Sequence, residues 1–141
     1  MCLAVYLAST IAVPRERHGD PALPSVHLRR VGDDDPIRRQ VLLPHVYYVA
    51  SHQGCGCGFL KEPGDDIASK QANRVQLAQL IRDMQDAGAR LEVFACWEGE
   101  QGEPAEVTET RTADEIAAED FRILESHHIT LATELVSCRP R

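Results

Sequence analysis

Between Pro44 and Glu98 the hydrophobic period changes twice, and that change restricts the fold more than any other feature of the chain. His45 to Ser51 (His-Val-Tyr-Tyr-Val-Ala-Ser) is rich in β-branched and aromatic residues behind a proline boundary, so it reads as a strand. Asp65 and Asp66 can cap a long helix that continues to about Asp86. Within it Val75, Ala78, Ile81 and Met84 form a core-facing stripe that Leu77 and Leu80 widen. Gly88 is a natural stop, and Leu91 to Trp97 follows as a further strand. Strand, helix and strand make a βαβ unit, whose crossover renders the two strands parallel if they share a sheet.

The flanking segments extend this unit. Cys2 to Ala12 reads as a buried strand through Leu3, Val5, Tyr6, Leu7 and Ile11. No positive charge precedes this run and it is too short to span a bilayer, so neither a signal peptide nor a membrane partner is expected. Pro14, Gly19, Pro21 and Pro24 mark a loop, and Ser25 to Val31 reads as a short strand with Val26, Leu28 and Arg30 on one side. Gly32-Asp33-Asp34-Asp35-Pro36 is a turn whose adjacent carboxylates lack the spaced ligands of a calcium loop. Glu98 to Glu106 is a polar loop. Thr112 and Glu115 match a capping box that opens a short helix to about Asp120. Phe121 to Val136 has strand character around Ile129, Leu131 and Thr133. The expected fold is one α/β (or α+β) domain over residues 1–141, with a mixed sheet of about five strands and one long helix packed on one face. The early strands are close enough in sequence to be antiparallel.

A chain of 141 residues, 43% hydrophobic and 26% charged, can bury a core without metal or disulfides. A bound metal would therefore serve function rather than folding. The net charge is -7, and pairs such as Arg29-Arg30 and Arg38-Arg39 stand beside acidic residues, so nucleic acid is not an expected partner. Five cysteines, an odd number without a secretory signal, point to reduced thiols and a cytoplasmic location.

The chemically unusual segment is His52-Gln53-Gly54-Cys55-Gly56-Cys57-Gly58, at the end of the His45–Ser51 strand. Thiolate and imidazole suit zinc, copper or iron, and the alternating glycines free the backbone to curve. His52, Cys55 and Cys57 supply three local ligands at most. Parallel pairing would bring Cys96, near the end of its own strand, to the same sheet edge, where open α/β sheets commonly hold ligands. Cys2 reaches that edge if the first strand runs antiparallel, and removal of Met1 would add a free α-amine beside its thiol. The leading expectation is a metal site of His52, Cys55 and Cys57 with Cys2 or Cys96.

Three alternatives compete. Cys55 or Cys57 can act without metal, as a nucleophile with His52 as base or as a redox pair, though Cys-X-Cys closes a small, strained ring. Glu98 is near enough to the proposed edge to be a candidate acid or base. Gly54, Gly56 and Gly58 can present backbone N–H groups to an anion, although no Walker A or dinucleotide fingerprint is present and no nucleotide cofactor is indicated. The segment can also be a structural loop of a small interaction module, since cysteine is often a small buried residue. His45, His127 and His128 read as satisfied or solvent-facing histidines, Trp97 as packing at a strand end, and Cys138 as incidental. The opening Met1-Cys2 resembles enzymes with an N-terminal cysteine nucleophile, including the glutamine amidotransferases. That resemblance covers two residues, lacks the Gly-rich continuation usual there, and assigns no family. Small α/β domains often form homodimers, but no residue pattern here selects an interface.

Overall fold

A computed structural model describes residues 2–13, 26–51, 56–59 and 67–133. In chain order the strands are β1 (Leu3–Ser9), β2 (His27–Arg30), β3 (His45–Ala50), β4 (Leu91–Trp97), β5 (Val107–Thr112) and β6 (Ser126–Ala132). The long helix α1 (Ile67–Asp86) lies between β3 and β4, and the short helix α2 (Ala113–Ala117) lies between β5 and β6. Two 3-10 turns, Pro36–Arg39 and Gly56–Phe59, complete the regular structure of the described residues.

The strands form one mixed sheet in the order β2-β3-β1-β4-β6-β5. β1 is antiparallel to both β3 and β4. β3 and β4 are therefore parallel to each other, as the βαβ pattern requires, but β1 separates them. Among the described strands, only β5 and β6 are parallel neighbours. The two central strands are buried on both faces, which is why β1 (LAVYLAS) and most of β4 (LEVFACW) are nearly continuous apolar runs.

On one face, Leu3, Val5, Leu7, Val49, Val93 and Ile129 pack against Leu77, Ala78 and Ile81 of α1 and Ile116 of α2. The helical stripe differs from the expected one: Val75 is 41% exposed, while Asn73 and Arg74 are buried. Each three-residue step falls about 60° short of a turn, so a stripe drawn through Val75, Ala78, Ile81 and Met84 drifts around the helix. The core-facing line runs instead through Arg74, Leu77, Ala78 and Ile81.

The opposite face is covered too. Ala4, Tyr6, Ala8, Val46, Phe94 and Cys96 pack beneath Ile37 and Val41 of the segment that follows β2. Asp35 caps its 3-10 turn by accepting the Ile37 N–H at 2.9 Å. Arg38 then clasps the segment, donating to the carbonyls of Gly32, Val31 and Pro44. The Asp33–Asp35 turn thus serves folding. The capping box is present as expected, with Thr112 accepting from the Glu115 N–H and Glu115 accepting from the Thr112 N–H.

Candidate functional site

Antiparallel pairing brings the start of β1 to the end of the sheet where β3 and β4 finish. Cys2, Cys57 and Trp97 lie at that edge. The strand pairing of β1 with β3 extends only to Val5 opposite Val49. The Leu3 N–H has no partner on β3, and the Cys57 sulfur accepts it at 3.2 Å. On the other side of the same peptide, the Cys2 carbonyl accepts the Glu98 N–H at 2.9 Å. The peptide joining Cys2 and Leu3 is thus held from both sides.

The 3-10 turn that carries Cys57 is fixed by its neighbours. Phe59 is fully buried in the helix-side core. A Cβ on Gly56 would stand 2.6 Å from the Leu3 carbonyl oxygen and 2.7 Å from Val5 Cγ2, so only glycine permits this approach to β1. Lys70 of α1 donates to the Cys57 carbonyl at 2.9 Å, bringing an ammonium to the same turn. Gly56 is therefore accounted for by packing against a strand. Gly58 lies in the same turn, whereas His52, Gly54 and Cys55 lie outside the described residues.

Cys96 shares the edge but not the face. Ala4 stands opposite Cys96, and both belong to the core remote from α1, whereas Cys57 packs on the α1 side. The expectation that Cys96 joins Cys57 is corrected on this ground: the sheet lies between them. Burial pushes the Cys96 thiol up to about 11, with Glu98, Glu100 and Asp35 adding to the shift, so the sulfur stays protonated at neutral pH. Cys2 is exposed, and alternation along β1 carries its side chain toward the Ala4 face. Among the described residues, no group of three or more His, Cys, Asp or Glu side chains is placed to hold a metal ion.

Glu98 belongs to a separate network on the Cys96 face. It accepts from Tyr48 Oη at 3.2 Å and from Gln101 Nε2 at 3.1 Å, and Gln101 also donates to Tyr6 Oη at 3.0 Å. Tyr6 and Tyr48 meet edge to face with centroids 5.6 Å apart. Burial raises the Tyr6 phenol to about 12, so it remains neutral. Tyr47 and Tyr48 lie on opposite faces, as alternation predicts.

Two His–Glu pairs escaped sequence reasoning. His127 is 1% exposed, and its Nε2 lies 2.5 Å from Glu109 Oε2. Its Nδ1 accepts the Leu124 N–H at 3.1 Å, which assigns the proton to Nε2 and leaves a neutral ring. Burial lowers the His127 pKa despite Glu109. Burial raises Glu109, but hydrogen bonds from His127 and Arg111 outweigh it and hold the carboxyl below its ordinary value. Both ring nitrogens are engaged, so this histidine is a structural member, as its sequence reading had it.

His128 is placed differently. Its Nε2 is 2.7 Å from Glu92 Oε1, and Glu92 Oε2 accepts the N–H groups of Leu42 and Leu43 at 2.9 and 3.0 Å. The pair borders a cleft of about 170 Å³. Glu92 is 5% exposed within an otherwise apolar strand, and that isolated charge was the signal available in the sequence. Among the described residues, the Nδ1 of His45 and the Nε of Arg74 are buried without a hydrogen-bond partner. No protein-family model, curated protein or solved structure matches this chain.

Proposed function

We propose that the protein binds a soft or borderline metal ion, such as zinc, copper or iron, at the β1 end of the sheet. Cys57 would be the anchoring ligand, with His52 and Cys55 as the other local ligands. The observation that carries this reading is the 3.2 Å contact from the Leu3 N–H to the Cys57 sulfur, which seats a sulfur ligand beside the Cys2 peptide. An N–H donor aimed at sulfur complements the negative charge of a metal-bound thiolate. Thiolate and imidazole donors match the chemistry of zinc and copper(I) sites. Such a protein would store, sense or transfer metal, and a three-ligand shell with an exchangeable water would instead support catalysis.

Metal content of protein purified under reducing, chelator-free conditions tests the reading, followed by titration with zinc and copper(I). One equivalent bound by the wild type and lost in Cys57→Ser, but kept in Cys96→Ser, is the expected result. Absence of stoichiometric metal together with no uptake of either ion overturns it. A metal-free thiol enzyme or redox pair is the second reading, favoured by the Lys70 ammonium on the Cys57 carbonyl. It predicts one rapidly alkylated thiol in protein that takes up no metal.

A further inference from the structure

We propose that β5 is a dimerisation strand, pairing antiparallel with β5 of a second copy about a twofold axis through Thr110. Within the described sheet β5 is an edge, bonded to β6 on one side only. An open edge offers a row of N–H and C=O groups to another strand.

The side chains on this strand choose both the partner and the register. Glu109 and Arg111 stand opposite Ile129 and Leu131, which belong to the helix-side core, so Val107, Glu109 and Arg111 share that face. Thr108, Thr110 and Thr112 share the other. A twofold axis perpendicular to the sheet keeps each face on its own side, so a residue can only oppose one from its own face. An axis at Glu109 would set Glu109 against Glu109, and an axis at Arg111 would set Arg111 against Arg111. An axis at Thr108 would leave half the strand unpaired.

Only an axis at Thr110 opposes unlike charges, and it pairs Thr108 to Thr112, all of the strand but Val107. It sets Glu109 against Arg111 twice over, with Thr108 against Thr112 and Thr110 against itself on the other face. Opposite charges and threonine pairs both stabilise cross-strand contacts. Within one copy, Arg111 Nε already donates to Glu109 Oε1 at 2.9 Å, so two copies would close an alternating ring of four charges. Val107 and Leu124, 37% and 40% exposed, add apolar surface beside this edge. The opposite edge is unsuited to self-pairing, because β2 (HLRR) carries adjacent arginines.

Sedimentation equilibrium of the full-length protein over a range of concentrations tests the proposal. The wild type is expected to form a dimer. Thr110→Lys and Thr110→Asp, each placing like charges on the axis, are expected to weaken self-association at least tenfold, and an equimolar mixture to recover a heterodimer. Backbone hydrogen exchange provides a second readout that needs no variant: protection of β5 amides should rise with protein concentration. A monomeric wild type at every concentration, a Thr110→Lys dimer as tight as the wild type, a mixture that does not associate, or concentration-independent exchange in β5 each overturns it.

Discussion

At the scale of single residues, Gly56 carries the strictest demand in the described site. Its Cα lies so close to β1 that a methyl group would overlap the Leu3 carbonyl and Val5. Gly56→Ala is therefore expected to cost about 1–3 kcal/mol of stability through overpacking, read as a lower denaturation midpoint with an unchanged slope. The glycine alternation was legible as a feature, but not its cause. Sequence suggested backbone curvature around a ligand, whereas Gly56 answers to a strand that lies more than fifty positions earlier. Cys96 shows a second limit of sequence. In β4 both alternating sets, Leu91-Val93-Ala95 and Phe94-Cys96, are apolar and buried, so nothing in the pattern says which set faces the helix. Arg74 shows a third: an arginine in a helix reads as solvated, yet this one is fully buried and donates to the carbonyls of Ile116 and Ala118.

At the scale of elements, what was legible follows burial. β4 and β3 were readable because buried strands concentrate β-branched and aromatic residues. β5 was not, because its sequence, VTETRT, belongs to an edge with both faces partly in water. It carries no apolar alternation, and the turn before it and the capping box after it were stronger signals. The covering segment after β2 was read only as far as the Gly32–Pro36 turn, and one carboxylate ties its far end to the sheet. Glu92 accepts the N–H groups of both Leu42 and Leu43. Glu92→Ala leaves those two donors and His128 without their partner, at a cost of about 1–3 kcal/mol. Amide exchange at Leu42 and Leu43 should accelerate more than exchange within β1, which distinguishes local release from general loosening.

At the scale of the whole molecule, His127 and Glu109 on the α1 side of the sheet contribute a pH dependence. His127 has a folded-state pKa below its ordinary 6.5, so the unfolded chain takes up this proton first as pH falls. Stability from this residue is present above about pH 6.5 and declines below it. Glu109, held below its ordinary 4.5, adds a second loss under more acidic conditions. Denaturant unfolding from about pH 7 to pH 5 should show falling stability, and His127→Gln should flatten that slope. Among the described residues, no helix is long and apolar enough to cross a membrane. The order of the strands has a temporal meaning as well. β1 sits between β3 and β4, with Leu3 opposite Trp97, although it precedes every other described strand along the chain. During synthesis this apolar segment emerges long before the strand that must enclose it. Such distant pairing slows folding and lengthens the time that β1 is open to wrong partners during translation.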